Sequence, residues 1–526
     1  MGSTPIPGTI FFFRVIPSME RPIPYDTKED LFMSLANVKG LVTPQTPKGF
    51  QDYLPEQMAV REALIEKIKK VYRRYGFVEI DTPVLEYLVT LIGTGGEETN
   101  KQMFRLESPE REAVALRFDL TVPFARVLAQ YRDKIKLPFR RYHIGPVFRA
   151  DKPGLGRFRQ FVQVDIDVAG AASVAVDAEM IAAMCEVMRS VGLVNGEVDG
   201  KRIQEFQVKV NNRKLLNAML YGSGIEDIER YKQVLRVVDK LQKVGMDNVR
   251  KELGEGRIDE SGDPIKGVGL DPKTIEKVIA FISVKADSRA AVIDAVTQLL
   301  PKTDQSEAAI EEMRELASYL DSLCVSELDA VFDPSLARGL DYYTGPVYEA
   351  VLPGAPECGS VMGGGRYDGL VQRFLDTPIP ATGASIGLDR FAEALIRCGK
   401  IDENAVLTEV MVVSTPGVPY TALLSAAAEL RAAGISTDVH IGEEKCGLHD
   451  KLALANARAI PVAVILGESE LAQGQVNVKD LRAGLEQRKG LQDREEFRKA
   501  GKAGQVTVDR TKLVTAVQEI LARYGL

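Results

Sequence analysis

Five arginines stand in settings that suit the binding of phosphate or carboxylate groups. Arg149 ends a predicted strand, Arg157 and Arg159 follow across a short loop, Arg338 precedes a glycine, and Arg390 ends a Gly-Leu-Asp-Arg sequence. A guanidinium group is planar and permanently charged, and it can donate two parallel hydrogen bonds to either anion. Any one of these arginines could form a surface salt bridge instead. Their shared setting in glycine-bearing motifs favours a phosphorylated ligand, whose chemistry depends on positioning and charge stabilisation.

Residues 159–168 alternate between two chemically different faces, which predicts a strand. One face is apolar and consists of Val162, Val164, Ile166 and Val168. The other face consists of Arg159, Phe161, Gln163, Asp165 and Asp167. Carboxylates are costly to bury without partners, so we expect the polar face to line a cleft that holds a charged ligand. The alternative is a surface strand whose polar face is solvated.

Other chemical motifs are less informative. Residues 363–369 (Gly-Gly-Gly-Arg-Tyr-Asp-Gly) would let a backbone approach a ligand closely, but they are equally typical of a tight turn. No Gly-x-x-x-x-Gly-Lys-Ser/Thr loop occurs, so a P-loop is not supported. The five cysteines are far apart and only three histidines accompany them, so neither a disulfide framework nor a structural zinc site is expected.

The elements that must position these residues follow from hydrophobic spacing. Leu64, Ile68, Val71 and Tyr75 predict one face of a helix that ends at Gly76, and a strand over residues 77–80 ends before Pro83. Residues 200–327 are charged and helical in pattern, whereas 328–400 return to strands and glycine-rich turns. From residue 407, strands at 410–414, 436–441 and 461–466 alternate with helices at 420–433 and 449–458, which predicts a small α/β domain.

Composition places the chain among globular proteins of roughly three domains. Its 526 residues are 45% hydrophobic and 27% charged, and no apolar run approaches the roughly 20 residues of a membrane helix. The N-terminus lacks the pattern of a secretory signal, so we expect a cytoplasmic location, with an organelle left open. The net charge is −7, yet residues 132–161 contain nine basic and two acidic residues. That segment is either a solvated basic surface or a site for a polyanion.

Several of these segments resemble a known family. Residues 148–149 with 157–167, and residues 383–390, resemble motifs 2 and 3 of class II aminoacyl-tRNA synthetases, and residues 76–86 resemble motif 1. Residues 116–121, 336–345 (Leu-Ala-Arg-Gly-Leu-Asp-Tyr-Tyr-Thr-Gly) and 363–370 resemble signatures of histidyl-tRNA synthetases. The resemblance covers about residues 46–524, and its wording is most similar to the eukaryotic and archaeal branch.

The resemblance implies an α+β fold. It implies a class II catalytic domain, an antiparallel sheet flanked by helices, over residues 46–199 and 328–400. A helical insertion occupies 200–327, and an α/β anticodon-binding domain occupies 407–526. Residues 1–45 form an N-terminal extension that matches nothing in the family. Asp151 and Asp389 stand where many relatives carry glutamate.

The resemblance also implies an activity, that of an aminoacyl-tRNA ligase. L-Histidine and ATP would form histidyl-adenylate and diphosphate, and histidine would then pass to the 3′ end of histidine tRNA. The substrate carboxylate is the nucleophile, so no side-chain nucleophile is needed. By similarity the catalytic residues are Arg149, Arg338 and Arg390. ATP would contact Arg149, Arg157, Phe161 and Arg390. Histidine would contact Asp119, Thr121, Gln163, Asp167, Arg338, Tyr342 and Tyr343.

The implied partners are L-histidine, histidine tRNA and a second copy of the chain, which would pair through motif 1. ATP is expected as a substrate with Mg²⁺, whose protein ligands the sequence leaves unassigned, and no structural metal is expected. Neither a membrane nor DNA is an expected partner.

Three alternatives compete with this interpretation. The first is a non-catalytic histidine-binding paralogue that regulates an ATP phosphoribosyltransferase, but such proteins usually lack the C-terminal domain and lose the arginines. The second is a sensor of uncharged tRNA. Such a sensor accompanies a kinase, and this sequence contains no kinase signature. The third is a class II enzyme for another amino acid, which residues 338–344 disfavour.

Overall fold

The computed structural model describes residues 42–93, 100–198, 200–225, 227–259, 262–337, 342–401, 408–442, 446–488 and 504–525. The chain divides into two compact units, Met1–Pro47 and Lys48–Leu526, and every element below belongs to the second. Most of the predicted N-terminal extension, residues 1–41, lies outside the described part.

The first part of the described chain includes the segments that resemble motifs 1 and 2. The helices are α1 (Pro55–Arg74), α2 (Leu88–Leu91), α3 (Thr121–Gln130) and α4 (Ala175–Ser190). The strands are β1 (Val78–Glu79), β2 (Leu85–Tyr87), β3 (Arg105–Glu107), β4 (Ala113–Leu116), β5 (Phe139–Phe148) and β6 (Gln160–Ala169).

The middle of the chain is largely helical. The strands are β7 (Asn195–Val198), β8 (Lys201–Gln204), β9 (Gln207–Asn212), β10 (Gly256–Ile258), β11 (Pro264–Lys266) and β12 (Ala330–Phe332). The helices are α5 (Arg213–Tyr221), α6 (Ile228–Asp239), α7 (Leu241–Val244), α8 (Met246–Leu253), α9 (Pro272–Ile282), α10 (Arg289–Leu299) and α11 (Asp304–Ser322).

The remaining elements complete the central sheet and form the C-terminal domain. They are β13 (Pro346–Val351), β14 (Ser360–Arg366), β15 (Ala381–Gly387) and α12 (Leu388–Arg397), followed by β16 (Val410–Ser414), α13 (Tyr420–Ala432), β17 (Thr437–Val439), α14 (Leu448–Ala457), β18 (Val462–Leu466), α15 (Glu468–Ala472), β19 (Gln475–Asp480), α16 (Leu481–Arg488), β20 (Gln505–Asp509) and α17 (Leu513–Ala522).

The central sheet has eight strands in the order β1-β5-β6-β15-β14-β13-β9-β12. Within this order, the six neighbouring strands β5, β6, β15, β14, β13 and β9 all pair antiparallel. At the two ends, β1 runs parallel to β5 and β12 runs parallel to β9. The predicted antiparallel sheet flanked by helices is therefore confirmed, with a short parallel strand added at each end.

Strand β6 has the two faces that its sequence predicts. Val164, Ile166 and Val168 are buried in one cluster with residues of α1 and α4. Helix α1 forms because its apolar residues recur three and four positions apart and Pro55 is tolerated in its first turn. Gly76 follows it with a φ of 76°, a conformation that glycine adopts without strain. The helix thus covers the apolar face of the sheet and leaves the polar face of β6 directed to the other side.

The segment predicted as a helical insertion contributes one strand to the central sheet. Strand β9 pairs with β13 and β12, although it lies inside residues 200–327. The burial of Phe206, Val208 and Val210 explains why, since alternate apolar residues form the buried side of a strand. The exact limits of the insertion remain a prediction.

The C-terminal domain has its own sheet and core. Its sheet order is β17-β16-β18-β19-β20, and β16 pairs parallel with both β17 and β18. Strands β18, β19 and β20 pair antiparallel. The predicted strand and helix alternation is confirmed. No helix among the described residues is long and apolar enough to cross a membrane.

A buried ion pair holds the glycine-rich strand β14 against α4. Arg366 donates through Nε to Asp177 Oδ2 at 2.9 Å and through Nη2 to the Ser173 carbonyl at 2.9 Å. Thr382 of β15 donates to the other carboxylate oxygen of Asp177 at 2.7 Å. Arg366 and Asp177 are 3% and 0% exposed, so neither charge has access to water.

Replacing Arg366 with methionine is expected to lower the free energy of unfolding by about 3–5 kcal/mol, because it leaves a buried carboxylate without its cation. Arg397→Met is the matched control, since Arg397 forms exposed ion pairs with Glu357 and Glu393. Its loss should stay below about 1 kcal/mol. Urea denaturation measures both, and equal losses would contradict this account.

Candidate active site

A cavity of about 340 Å³ lies over the polar face of β6 and the glycine-rich strands β14 and β15. It gathers most of the residues that the sequence predicts for one site. The predicted residues among its lining are Asp119, Thr121, Arg149, Arg157, Phe161, Gln163, Tyr342, Tyr343 and Arg390. Asp167 is not among the lining residues, and Arg338 lies outside the described residues.

The ends of β5 and β6 position Arg149. Its backbone N–H donates to the Arg159 carbonyl at 2.9 Å, so the two strands stay paired beyond their last assigned residues. The guanidinium lies 4.4 Å from the ring centre of Phe118 and 5.2 Å from that of Phe161, and its Nε donates to the Phe118 carbonyl at 3.1 Å. Desolvation lowers the pKa of Arg149. The charge is thus held in place by two aromatic rings and a carbonyl.

Two further arginines line the same cavity. Arg390, in the first turn of α12, donates through Nη1 to the Ser360 carbonyl at 3.0 Å. Gly156 packs so closely that a Cβ there would lie 3.3 Å from the Cα of Arg390. Arg157 is half-exposed, and its Nε lies 3.7 Å from Asp151 Oδ2. The loop between β5 and β6 therefore brings Arg157 beside the start of α12.

Hydrogen-bond acceptors dominate another part of the cavity. Asp119 Oδ1 accepts a hydrogen bond at 2.9 Å from the backbone of Val122 at the start of α3, and burial raises the pKa of Asp119. Gln163 is 7% exposed and donates through Nε2 to Ser385 Oγ at 2.6 Å. Its buried Oε1 accepts no hydrogen bond from the described residues. This orientation leaves an acceptor available for a ligand that carries N–H donors.

Three tyrosines form an aromatic wall. The ring centres of Tyr342 and Tyr343 are 5.0 Å apart, and those of Tyr342 and Tyr367 are 5.8 Å apart, both with edge-to-face geometry. Desolvation raises the pKa of Tyr342 and of Tyr367 well above the usual value. Both phenols therefore stay neutral and can donate hydrogen bonds.

Asp167 is a predicted histidine-binding residue that is not part of the cavity lining. Its carboxylate is 2% exposed, accepts a hydrogen bond from the Tyr367 hydroxyl and lies 2.6 Å from Arg141 Nη2. Burial raises its pKa to about 6. Asp167 is therefore not a lining residue, and its carboxylate lies between Arg141 and the Tyr367 hydroxyl.

Asp389 stands where many members of the resembled family carry glutamate. Its carboxylate accepts hydrogen bonds from Tyr53, from Arg61 of α1 and, at 3.0 Å, from the backbone of Val162 on β6. It joins three segments, and all of its oxygens have partners. Among the described residues, no group of three or more His, Cys, Asp or Glu side chains could hold a metal ion.

Sequence reasoning missed Arg141, Ser385 and Tyr367. Ser385 and Tyr367 lie within motifs that the sequence singles out, but nothing in those motifs indicates which side chain orients Gln163 or Asp167. Arg141 belongs to the basic segment that was expected at the surface, yet it is 0% exposed. Strand periodicity in β5 could have indicated it, because Arg141 pairs in register with Asp167.

The cavity thus combines acceptors and an aromatic wall with three guanidinium groups. Such an arrangement suits a ligand that has N–H donors at one end and phosphates at the other. No lining side chain is needed as a nucleophile if the ligand itself brings one.

Comparisons with known proteins agree with this geometry. The histidyl-tRNA synthetase family model matches residues 49–391, and an anticodon-binding domain model matches residues 409–520. A histidine–tRNA ligase of Caulobacter vibrioides is 39% identical over 488 residues, which are 91% of this chain and 96% of the relative. One from Rhizobium meliloti is 38% identical and covers 90% of this chain and 95% of the relative. Both relatives are bacterial, whereas the residues of the motifs are most similar to those of the eukaryotic and archaeal branch.

Solved structures share the architecture. A histidyl-tRNA synthetase from Nostoc sp. has a TM-score of 0.72 and 30% identity, and the match covers 92% of this chain and 100% of that one. A histidyl-tRNA synthetase from S. aureus, at 20% identity and a TM-score of 0.59, supports the fold alone. The predicted class II synthetase fold with an anticodon-binding domain is confirmed, and the chain belongs to the histidyl-tRNA synthetase family.

Proposed function

We propose that this protein activates L-histidine with ATP and transfers it to the 3′ end of histidine tRNA. The observation that carries the proposal is the cavity in which the acceptors Asp119 and Gln163 face the same space as Arg149, Arg157 and Arg390. An amino acid with a free ammonium group and a nucleotide with three phosphates together match that distribution of charge.

In the first step the histidine carboxylate attacks the α-phosphorus of ATP, the bond to the β-phosphate breaks, and diphosphate leaves. Arg149 stabilises the charge that builds on the α-phosphate, because its guanidinium is already oriented by Phe118 and Phe161. Arg157 and Arg390 hold the outer phosphates. By similarity to the family, Arg338 would bridge the histidine carboxylate and the α-phosphate.

The histidine pocket follows from the acceptor side of the cavity. The α-ammonium donates to Gln163 Oε1 and to Asp119, with Thr121 beside them, and the imidazole packs against Tyr342 and Tyr343 with one N–H directed to Asp167. A pocket built on hydrogen bonds rejects apolar analogues, because they leave its polar groups unpaired.

In the second step a ribose hydroxyl at the 3′ end of the tRNA attacks the histidyl carbonyl, and AMP leaves. The basic segment at residues 132–161 would face the acceptor end, although Arg141 does not take part in that surface. The C-terminal domain, by similarity an anticodon-binding domain, would bind the other end of the tRNA.

Mg²⁺ would arrive with the phosphates of ATP and neutralise part of their charge. It commonly binds through one or two carboxylates together with phosphates, so it needs no cage of protein ligands. The cavity carboxylates with the fewest structural commitments are those of Asp151 and Asp239, and either one would be available to hold it. Asp389 is excluded from that role by its three partners.

The five cysteines of the chain are all free. We therefore infer a reducing compartment, the cytoplasm or an organelle interior.

The test is ATP–diphosphate exchange by the purified protein with each of the twenty amino acids, followed by charging of histidine tRNA. Exchange with histidine alone, plus charging, is expected. Histidine binding without exchange would contradict the proposal and favour the regulatory paralogue. Exchange with another amino acid would contradict the predicted specificity.

Arg149→Ala should lower the kcat of histidine-dependent exchange by about 10²–10³, the loss typical of removing one oriented group that stabilises a developing anion. Arg132→Ala is the control from the same basic segment, because Arg132 is exposed and forms a weak surface ion pair, with its Nε 4.0 Å from Asp133 Oδ1. A change of less than threefold for Arg149→Ala would remove it from the reaction.

We also propose a homodimer that forms through the motif 1 region. Val78, Leu85, Tyr87 and Val89, in and beside motif 1, are exposed apolar side chains, and Leu106 is exposed on β3 of the same small sheet as β2. A patch of exposed apolar side chains marks an interaction surface, and a two-fold dimer is the commonest homo-oligomer.

Sedimentation should give twice the 57.7 kDa chain mass for the wild type. Val89 is 79% exposed. Val89→Asp should weaken self-association at least about tenfold, because dimer formation would then bury the aspartate charge in the interface. Val194→Asp, at a 47% exposed position away from motif 1, should leave it unchanged. A monomeric wild type would overturn this proposal.

A further inference from the structure

Arg141 is a buried arginine that the reaction described above does not use. It is one of the two largest side chains that are less than 2% exposed, together with Arg117. Its Nη2 lies 2.6 Å from Asp167 Oδ2 and donates to the Leu120 carbonyl at 3.2 Å, and its guanidinium carbon lies 4.6 Å from the ring centre of Phe124. One guanidinium therefore contacts both β6 and the turn that enters α3.

These contacts connect the two sides of the proposed histidine pocket. Leu120 lies between Asp119 and Thr121, which line the cavity, and Asp167 accepts a hydrogen bond from Tyr367 of the aromatic wall. Tyr367 donates to Oδ1 of Asp167 while Arg141 faces Oδ2. Gly383 on the neighbouring strand leaves room for the carboxylate, since a Cβ there would lie 2.0 Å from Asp167 Oδ1. The carboxylate is thus held by a hydrogen bond to one oxygen and an ion pair at the other, with the Gly383 backbone packed close to it.

Arg141 provides the positive charge that opposes the effect of burial on Asp167 and the acidic groups around it. Several ionisable groups act on Asp167 from the elements around it: Arg141 from β5, Asp165 from β6, Asp119 before α3, Tyr72 from α1, Tyr342, and Tyr367 after β14. Burial raises the pKa of Asp167 to about 6 and that of Asp165 to about 7, and Arg141 opposes both increases. His143, which pairs in register with Asp165, has its pKa lowered to about 3 by burial and adds no positive charge.

We propose that Arg141 is a positioning residue for histidine selection: it keeps the Asp167 carboxylate ionised and oriented so that it accepts a hydrogen bond from an imidazole N–H. The inference rests on the proposed function and adds a residue that does not line the cavity. An ionised carboxylate accepts hydrogen bonds on both oxygens, whereas a protonated one also presents a donor, which would select a different ring nitrogen.

The role proposed for Arg141 makes histidine affinity depend on pH when Arg141 is removed. Without Arg141 the pKa of Asp167 rises, so at neutral pH a larger fraction of Asp167 is protonated and histidine binds less well. Raising the pH restores the carboxylate and part of the affinity. Dividing the histidine KM of a variant by that of the wild type at each pH cancels the titration of free histidine.

The experiment measures histidine and ATP KM values in ATP–diphosphate exchange at pH 6.5, 7.5 and 8.5. Arg141→Met and Arg141→Gln both remove the charge, and the glutamine amide can still donate to Leu120 if methionine prevents folding. Arg141→Lys restores the charge. Arg140→Met is the control, because the adjacent Arg140 pairs with Glu179 at 2.6 Å on the other face of β5.

Both neutral variants should raise the relative histidine KM at least about tenfold at pH 6.5, and the ratio should fall at least about threefold by pH 8.5. Arg141→Lys should give a smaller increase that does not vary with pH. The ATP KM should change less than twofold in all variants, and Arg140→Met should match the wild type. Adding Arg141→Gln to Asp167→Asn should cause no further loss of histidine affinity, because the carboxylate it serves is already absent.

A pH-independent ratio, an equal rise in the ATP KM, or additive losses in the double variant would each overturn the inference and leave the proposed function intact. Absence of histidine-dependent exchange in the wild type would overturn both. The two failures are therefore distinguishable.

Discussion

The burial of acidic side chains on the polar face of β6 is the constraint on which the rest of the site depends. Asp165 and Asp167 are 1% and 2% exposed, and a buried carboxylate is stable only with a cation or hydrogen-bond donors beside it. Arg141 on β5 supplies the cation, and Tyr367 supplies a hydroxyl to Asp167. Because these partners come from both sides of β6, the requirement also determines which strands must flank it.

The same requirement links the fold to the chemistry. Asp389 joins α1, β6 and the start of α12, so the helix that carries Arg390 is tied to the strand that carries Phe161 and Gln163. Arg366 and Asp177 hold β14 and β15 to α4 in a similar way. The arginines and the acceptors of the cavity are therefore set by buried polar pairs, and not by the apolar core alone. Such pairs give little stability, but removing one partner is costly, which keeps the strands in one register.

Much of the fold followed from the sequence because its signals are local. The spacing of Leu64, Ile68 and Val71 predicted α1, and the alternation in residues 159–168 predicted a strand with one face toward a cleft. The C-terminal alternation of strands and helices was predicted to within a few residues. Strand β9 was missed because its short apolar alternation lies inside a long charged and helical region, where only pairing with β13 and β12 reveals it.

The site was predicted less completely, since charge counts do not report burial. Arg141 was counted with surface arginines, although it lies on the opposite face of β5 from Arg140 and is 0% exposed. Asp167 is predicted to contact histidine, and only the three-dimensional packing shows that Tyr367 and Arg141 hold its carboxylate. Residues whose roles depend on partners from distant segments, such as Asp389 with Tyr53 and Arg61, have no local sequence signal.

A crystal structure with a non-hydrolysable histidyl-adenylate analogue would test the central claim most directly. The account predicts the α-ammonium within hydrogen-bond distance of Gln163 Oε1, the phosphate analogue beside Arg149, and the imidazole against the aromatic wall with its N–H directed to Asp167. An analogue with its ring directed to solvent, or with its ammonium away from Gln163, would contradict the assignment of the β6 face as the histidine pocket.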